Sequence, residues 1–447
     1  MGCIIIYLRS IFNKQIGIHH SLNDSYKTIS IPKNVSFFRK LLAFTGPGYM
    51  IAVGYMDPGN WATDLAGGSS FGYKLLFIVL ISNLFAIVLQ HLSAKLGIAT
   101  GRDLAQMCKD KFPRFVNVFL WFMAEIMIVA CDLAEVIGSA IAIKLLFGIP
   151  LLIGVVITGF DVLVLLLLQQ KGYRYLEAIV MVLIGTIILC FGIEIIIAQP
   201  QLLPLLQGFI PTKELFTNAE MLYISVGILG ATVMPHNLYL HSSIVQTRNF
   251  SESKSGIKEA IYFSTIDSTF ALLLAFFVNA SILILSASTF HTRGYEQVAE
   301  IEQAYKLLSP LLGVVGASTL FAVALLASGQ TSTITATLAG QIIMEGFLNL
   351  RMKPWMRRLL TRSLAVIPAI LVILLYGDLG LSKLLISSQV VLSLQLSFAV
   401  FPLVYFTSNK HIMKGFENKK WLQYTAYIIA IIIVCLNIWL VQNIFSG

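Results

Sequence analysis

Two tetrapeptides of one pattern, X-Pro-X-Asn, hold the residues of this chain best suited to chemistry: Asp-Pro-Gly-Asn at 57–60 and Met-Pro-His-Asn at 234–237. Each lies in the middle of a long apolar segment. Proline removes a backbone donor and clashes with the carbonyl four residues back, so each tetrapeptide should break a helix. A helix broken at membrane depth is tolerated only where the freed backbone is buried in protein or lines a cavity. One break in each half of the chain predicts a transporter's substrate site.

The side chains at the two breaks predict a cation site. Asp57 supplies a carboxylate, Asn60 an amide oxygen and Met234 a thioether, and unwound backbone near Asp57 and Ala231 would free carbonyl oxygens. Mg²⁺ and Ca²⁺ prefer oxygen ligands alone, whereas a thioether favours softer first-row divalent ions. Two other interpretations exist. Met234 could simply fill space in the core, and residues 57–60 could form a turn between short helices, which would place a loop where the topology needs a span.

Four further polar residues lie close to this predicted site in the sequence or could reach it. His236 follows Met234 by two residues, and an imidazole can ligate a metal or carry a proton near neutral pH. We predict a proton-path or gating role for His236, with plain hydrogen bonding as the alternative. His241 lies about 140° around the helix from His236, so the two do not form a metal-binding pair. Gln389 and Gln395 are amides in one apolar segment, and either could reach the site.

Three acidic residues lie on one face of the third apolar segment: Glu125, Asp132 and Glu135. At about 100° per residue their side chains fall within about 80° of each other. Carboxylates inside a membrane span are costly and mark proton relays in transporters. The alternative is structural pairing with a basic residue, for which Arg362 is the candidate, and the two interpretations are compatible.

Composition places the chain among polytopic membrane proteins. Of its 447 residues, 57% are hydrophobic and 12% are charged, and the mean hydropathy is +0.83. Soluble proteins carry about 25% charged residues. The five scattered cysteines suggest neither a disulfide framework nor a zinc site. The net charge of +9 is more typical of basic cytoplasmic loops than of nucleic-acid binding. We predict an all-α membrane protein, a monomer without a resident cofactor and without a nucleic-acid partner.

Eleven apolar segments are long enough to span a bilayer at about 20 residues each. Residues 1–40 form a basic arm that we interpret as an uncleaved cytoplasmic tail. The eighth segment is over-long, which indicates an extension or a turn outside the membrane. The predicted spans are 42–66, 73–98, 115–145, 149–169, 175–198, 219–246, 260–289, 309–347, 361–377, 383–407 and 421–443.

The distribution of basic residues predicts the orientation. With the N-terminus in the cytoplasm, 25 of the 31 lysines and arginines fall on the inner side and 6 on the outer side. This asymmetry favours a cytoplasmic N-terminus and an extracellular or periplasmic C-terminus in the cell (inner) membrane.

The two tetrapeptides lie in segments one and six, which indicates an internal repeat. Segments one to five (about 41–198) and six to ten (about 219–407) would form two repeats within a transport core at 41–407. An odd number of helices per repeat forces inverted topology, which is the LeuT-type plan with helices one and six broken at the substrate site. The last span, at 421–444, would be an accessory helix.

The chain resembles the Nramp family of proton-coupled divalent metal-ion transporters. The resemblance rests on both tetrapeptides, on Cys-Asp-Leu-Ala-Glu at 131–135 and on the segment 329–346, so it covers segments one, three, six and eight. It implies five metal ligands and four residues of proton movement or the exit path. The ligands are Asp57, Asn60, the Ala231 carbonyl, Met234 and, in some conformations, Gln389; the other group is His236, Asp132, Glu135 and Arg362.

The resemblance also implies the substrate and the mechanism. It indicates proton-coupled import of Mn²⁺ or Fe²⁺, with Co²⁺ and Cd²⁺ tolerated, by alternating access, and it is nearest to the bacterial manganese importers. Two rival functions remain from the sequence. A carrier of another substrate, such as an amino acid, would need small residues at the first break to admit a carboxylate, and Asp57 argues against it. A membrane enzyme would need a nucleophile or a multi-histidine site, and a metal sensor would usually add a soluble output domain.

Overall fold

The computed structural model describes residues 25–32, 35–169, 173–350, 354–376 and 380–446. Within these ranges the structure is almost entirely helical, apart from one pair of two-residue strands. Eight helices are long and apolar enough to cross a membrane, and two shorter apolar helices accompany them at Leu151–Phe160 and Leu359–Leu375. The eight are Pro58–Thr100, Arg114–Phe147, Tyr173–Ala198, Ala219–Thr247, Lys254–Arg293, Ala317–Leu348, Leu381–Ser408 and Lys420–Gln442. The chain is therefore a multi-pass membrane protein.

The first half of the described chain begins with a short strand and continues as helices. Its elements are β1 (Ile29–Ser30), α1 (Phe37–Phe44), α2 (Pro47–Ala52), α3 (Pro58–Phe71), α4 (Leu76–Thr100), α5 (Leu104–Lys111), α6 (Arg114–Phe147), α7 (Leu151–Gln169), α8 (Tyr173–Ala198), α9 (Leu202–Gln207) and α10 (Glu214–Thr217).

The second half repeats the pattern of a broken helix followed by long helices. Its elements are α11 (Ala219–Thr232), α12 (Pro235–Ile244), β2 (Arg248–Asn249), α13 (Lys254–Thr289), α14 (Ile301–Leu312), α15 (Ala317–Leu348), α16 (Pro354–Tyr376), α17 (Leu381–Ser408), α18 (Lys410–Met413) and α19 (Lys420–Ser446).

Each apolar segment of the sequence coincides with a long helix or a broken one, and the number of eleven membrane crossings stays a prediction. The over-long eighth segment, 309–347, divides into α14 and α15. Gly313 and Gly316, both with φ in the left-handed region at +69° and +101°, separate these two helices. Glycine adopts such angles without steric cost, so the extra length is a separate helix joined to the span by a tight turn.

Both predicted helix breaks are present, and both have the same local structure. The first helix ends at Ala52, continues as a 3₁₀ turn through Met56, and becomes extended at Asp57, where φ is −69° and ψ is 165°. Met234 is extended in the same way after α11 ends, with φ −70° and ψ 117°. Pro58 and Pro235 then start α3 and α12. Proline suits this first helical position because its missing N–H would be unsatisfied there anyway.

The two breaks contact each other directly. The side-chain amide of Asn237, at the start of α12, donates to the carbonyl of Ile51 at 3.2 Å. A Cβ atom on Gly54 would lie 2.2 Å from the same amide nitrogen. Only glycine permits this approach, so Asn237 inserts into the first break and holds the two repeats together at their centres.

A buried polar network fixes the start of the first helix on the face predicted to be cytoplasmic. Arg248 forms a bidentate ion pair with Glu177 at 2.5 and 3.1 Å and also donates to the carbonyl of Thr45 at 2.6 Å. Asp267 on α13 accepts the backbone N–H groups of Gly46 and Gly48 at 3.3 and 2.6 Å. This network ties α2 to α8, α13 and β2, so α2 cannot swing outward while it is intact.

The N-terminal arm adds a second contact on this face. Strand β1 pairs in parallel with β2, with Ile29 opposite Arg248. The hydroxyl groups of Tyr26 and Ser243 lie 2.5 Å apart, and Lys27 forms an exposed ion pair with Glu252 at 2.5 Å. This hydrogen-bonded pair holds the pKa of the Glu252 carboxyl below its ordinary value. The end of the arm therefore lies across the C-terminal end of α12, a contact that sequence reasoning did not predict.

We expect Gly138→Ala to destabilise the protein. Helix α6 passes so close to the first break that a Cβ on Gly138 would lie 2.1 Å from the Cβ of Pro58. Overpacking of this kind lowers stability by about 1–3 kcal/mol. Thermal unfolding in detergent measures the effect. The control is Gly185→Ala on α8, which meets nothing within 4 Å and should hold or raise the midpoint. Equal midpoints for the two variants would contradict the close packing of α6 on Pro58.

We expect Glu177→Gln to weaken the attachment of α2 on the face predicted to be cytoplasmic. The change removes the carboxylate that forms a bidentate pair with Arg248, which is 1% exposed, and loss of a buried partner is worth about 3–5 kcal/mol. Thermal unfolding should show a lower midpoint, and amide hydrogen exchange should accelerate at residues 45–52. Glu252→Gln removes an exposed ion pair and is the control, since such pairs contribute little. If the two variants exchange at the same rate, the network does not hold α2.

Candidate metal and proton site

The predicted ligand residues are among the most deeply buried polar and sulfur-bearing residues of the described chain. Asp57, Ala231, Met234 and Gln389 are 0% exposed and Asn60 is 1% exposed. They come from α3 and its break, from the end of α11 and from α17. Burial on this scale closes the site to solvent from both faces of the membrane.

Gln389 packs against both helix breaks. A Cβ on Gly59, in the first break, would lie 1.8 Å from the side-chain nitrogen of Gln389. A Cβ on Gly230, next to Ala231, would lie 2.2 Å from the Gln389 carbonyl oxygen. Helix α17 therefore contacts both breaks at one residue, Gln389.

Three oxygens at this junction have no hydrogen-bond partner among the described residues. The Oδ1 atom of Asp57 accepts the backbone N–H of Asn60 at 2.8 Å, but its Oδ2 accepts nothing. The side-chain oxygens of Asn60 and Gln389 are also without partners. Buried polar atoms are normally paired, and each exception calls for an explanation. Carboxylate and amide oxygens of this kind are suitable ligands for a cation.

The backbone freed by the first break is satisfied by side chains that sequence reasoning did not identify. Asn279 of α13 donates to the carbonyl of Tyr55 at 2.8 Å. Ser328 of α15 donates to the carbonyl of Met56 at 2.5 Å, and the indole of Trp61 reaches the same oxygen at 3.3 Å. The sequence signal for such a residue is a single amide or hydroxyl within an apolar helix. The neighbouring residues do not indicate which distant group it will contact.

Aromatic side chains pack around the next turn of α3. The indole ring of Trp61 lies 4.9 Å from the ring of Phe191 on α8 and 5.0 Å from the ring of Phe321 on α15. Trp61 is 0% exposed. These rings exclude water from one side of the ligand residues.

The second break carries His236, and its surroundings differ from those of His241. His236 is 1% exposed and its Nδ1 has no hydrogen-bond partner within the described chain. The carboxylate of Asp132 interacts with it electrostatically. His241 instead bonds Gln90 at 2.9 Å, and Gln90 donates to the Tyr55 hydroxyl at 2.7 Å. The two imidazoles thus have separate partners, in agreement with their predicted angular separation.

Gln395 is buried on α17, 3% exposed.

The acidic residues of α6 form a connected polar row with arginines of α16. Arg362 lies 3.5 Å from the Glu135 carboxylate. It also donates to the backbone carbonyl of Asp132 at 3.3 Å and to the hydroxyl of Thr333 at 2.9 Å. The row lies on α6, whose Gly138 packs directly against Pro58 of the first break.

Glu125 extends this row through an arginine that the sequence analysis missed. Glu125 pairs with Arg357 at 3.0 and 3.1 Å. Arg362, the basic partner considered from the sequence, lies instead against Glu135. The two arginines lie on one helix five residues apart, and sequence alone could not assign each to its carboxylate. A cavity of about 10 Å³ lies beside Arg357, which is room for one water. Glu125 is 22% exposed, so the row ends at a partly exposed carboxylate.

The described residues contain no group of three or more His, Cys, Asp or Glu side chains placed to hold a metal ion. The junction of the breaks contains one carboxylate, two amides and one thioether. Such a set suits a cation that binds reversibly and keeps a mixed oxygen and sulfur environment.

The sequence and the fold of this chain match known proteins. Residues 48–443 match the model of the family described as natural resistance-associated macrophage protein-like, Nramp. The chain is 60% identical over 427 residues to the divalent metal cation transporter MntH of Nostoc sp., covering 96% of this chain and 97% of the relative. It is also 60% identical over 420 residues to the MntH of Listeria welshimeri, with 94% of each chain covered.

Solved structures show the same likeness. The Eremococcus coleocola manganese transporter superposes with a TM-score of 0.87 at 42% identity, covering 93% of this chain and 90% of that one. Mhp1, a nucleobase-cation-symport-1 family transporter, superposes with a TM-score of 0.59 at 14% identity, covering 89% of this chain and 93% of its own, and shares the fold. Sequence and structure agree, and the chain belongs to the Nramp family.

Proposed function

We propose that this protein imports divalent transition-metal ions, with Mn²⁺ or Fe²⁺ as the physiological substrate, by proton-coupled alternating access. The observation that carries the proposal is the set of three unpartnered buried oxygens on Asp57, Asn60 and Gln389. The names of the relatives, divalent metal cation transporter and manganese transporter, support the same substrate class.

In this proposal the two breaks bind the ion through different chemistry. Asp57 supplies the negative charge, and Asn60 and Gln389 supply neutral oxygens. Met234 and the Ala231 carbonyl complete the set from the second break. The thioether selects against Ca²⁺ and Mg²⁺, because these ions gain little from sulfur and lose an oxygen ligand.

The polar row on α6 is the proposed proton route. His236 lies next to the ligand residues, and Glu135, Arg362 and Asp132 connect it toward Glu125 and Arg357. Carboxylates that exchange arginine partners can pass a proton without ever remaining buried and unpaired. The support for this route is the set of contacts among its members, from Arg362 with Glu135 and Asp132 to Arg357 with the partly exposed Glu125.

Release of the ion requires the inner face to open. With the N-terminus in the cytoplasm, the network of Arg248, Glu177 and Asp267 faces the cell interior, and its separation would let α2 move aside. A negative interior favours entry of a cation by about 2.3 kcal/mol per charge per 100 mV. The proposed unit is a monomer, since one chain contains both breaks. Mn²⁺ uptake with simultaneous pH recording in proteoliposomes tests the whole proposal, and uptake without proton movement would contradict the coupling.

We expect Met234→Ala to retain part of the Mn²⁺ uptake and to lose discrimination against Ca²⁺. Loss of the thioether should reduce the Mn²⁺ to Ca²⁺ preference by about tenfold, equivalent to about 1.4 kcal/mol. Competitive uptake in proteoliposomes measures the ratio. Met221→Ala is the matched control, because Met221 is equally buried, lies on α11 before the second break and belongs to a separate apolar cluster. Full Ca²⁺ exclusion by Met234→Ala would refute the role of sulfur.

We expect Glu135→Gln to reduce proton flux more than Mn²⁺ binding. The amide keeps the shape of the carboxyl and cannot release a proton, so Arg362 keeps a neighbour while the relay stops. Calorimetry measures Mn²⁺ binding, and a pH-sensitive dye inside the liposomes measures proton flux. Glu194→Gln is the control, since Glu194 is a buried carboxyl on α8 outside this row. An unchanged proton flux in Glu135→Gln would exclude the relay.

A further inference from the structure

A lateral groove separates three helices on the outer surface of the bundle. Its volume is about 780 Å³, within the range of about 300–1,000 Å³ found for small-ligand sites. Helix α6 contributes Phe112 (just before it), Val116, Phe119 and Leu120; α17 contributes Leu394, Ser397, Phe398, Phe401 and Pro402; α19 contributes Val434, Asn437, Ile438, Val441 and Gln442. None of the residues proposed for metal or proton movement lines this groove.

The groove opens toward the lipid. Phe119, Phe401 and Ile438 are 41%, 43% and 53% exposed, and each lies within a helix that qualifies as a membrane span. Apolar side chains exposed at that depth contact hydrocarbon in a bilayer. The space between them is therefore filled by hydrocarbon chains or by another apolar surface.

The groove offers no free polar group on its buried side. The amide of Asn437 donates to the carbonyl of Ser393 at 2.8 Å and to the hydroxyl of Ser397 at 3.1 Å. Its oxygen accepts the hydroxyl of Ser393 at 3.0 Å. Because these hydrogen bonds satisfy Asn437 against α17, a polar ligand would gain nothing there. An acyl chain fits the remaining surface.

The end of the groove on the proposed cytoplasmic side is closed by rings and flanked by cations. The ring of Phe112 lies 6.4 Å from that of Tyr405 and 5.3 Å from that of Phe406. Lys111 and Arg114 flank Phe112 in the sequence and both are exposed. Neither forms an ion pair in the described part of the chain, whereas the neighbouring Asp110 is paired with Arg102 at 3.2 Å.

The third wall of the groove starts in the same kind of environment. Lys419 and Lys420 lie at the start of α19, and both are exposed without an ion pair among the described residues. Trp421 and Tyr424, at 64% and 66% exposure, follow them. Tryptophan, tyrosine and lysine concentrate where the bilayer meets water, so α19 begins at the headgroup level, and its part that lines the groove, from Val434 onward, lies deeper in the membrane.

We propose that this groove binds an anionic phospholipid of the inner leaflet. One acyl chain lies between α6, α17 and α19, and the phosphate lies near Lys111 and Arg114. Basic pockets between spanning helices on the cytoplasmic side are suited to anionic headgroups. The site uses the orientation of the proposed function but is independent of the metal site. A lipid here contacts both α6, which carries the proposed proton route, and α17, which carries Gln389.

The test compares lipid retention by the full-length protein. Purified protein in mixed phosphatidylglycerol and phosphatidylcholine nanodiscs is delipidated stepwise, and bound lipids are counted by native mass spectrometry. We expect wild type to retain phosphatidylglycerol preferentially, and Lys111→Gln with Arg114→Gln to lower that preference on the order of tenfold. The double variant Lys254→Gln with Lys258→Gln, on exposed lysines at the start of α13, is the matched control and should retain it.

A second pair of variants tests the acyl-chain part of the site. Val116→Trp fills the groove and should remove the retained lipid, whereas Val118→Trp, on α6 but outside the groove, should not. Ile438→Trp, on the opposite wall, repeats the test if Val116→Trp folds poorly, as judged by thermal unfolding. Mn²⁺ binding should persist in all variants, which separates this proposal from the metal site.

Three results would overturn the proposal. The first is equal retention of phosphatidylglycerol and phosphatidylcholine by wild type, which indicates ordinary boundary lipid. The second is unchanged retention in Lys111→Gln with Arg114→Gln. The third is a wild-type dimer that Val116→Trp converts to a monomer, which would make the groove an interface between two copies of the chain.

Discussion

The structure depends on one constraint: backbone groups released by a helix break inside a membrane must find partners within the protein. At the first break, Asn237, Asn279 and Ser328 donate to the freed carbonyls of Ile51, Tyr55 and Met56. These donors come from three different helices in the second half of the chain. The break is therefore held open by tertiary contacts, and the helices that supply the donors are fixed around it.

The same constraint explains where polar atoms remain unpaired. Where a protein donor is available, the carbonyls of the break are satisfied. Where the proposed ion would lie, oxygens of Asp57, Asn60 and Gln389 have no partner within the described residues. Burying polar atoms without partners in an apolar interior costs free energy, and a bound cation removes that cost. The two breaks share one backbone geometry but differ in chemistry, since one contributes a carboxylate and the other a thioether and an imidazole.

Buried ion pairs have different hydrogen-bond arrangements in two parts of the molecule. On the face proposed to be cytoplasmic, Arg248 and Glu177 form a bidentate pair that fixes α2. Along α6, Arg357 pairs with Glu125, and Arg362 divides its contacts among Glu135, the Asp132 carbonyl and the Thr333 hydroxyl. A bidentate pair suits a gate that must stay shut until it separates as a unit. An arginine shared among several acceptors suits groups that exchange partners.

The sequence alone determined the class of protein, both helix breaks and the chemistry of the residues at them. These follow from local rules, because proline in an X-Pro-X-Asn stretch favours a new helix start and hydropathy selects a membrane environment. The tertiary structure decided which distant groups meet. It assigned Arg357 to Glu125 and Arg362 to Glu135, placed Gln389 against both breaks, and bound the arm at β1 to β2. Such pairings depend on how helices pack across long sequence separations, and no local pattern encodes them.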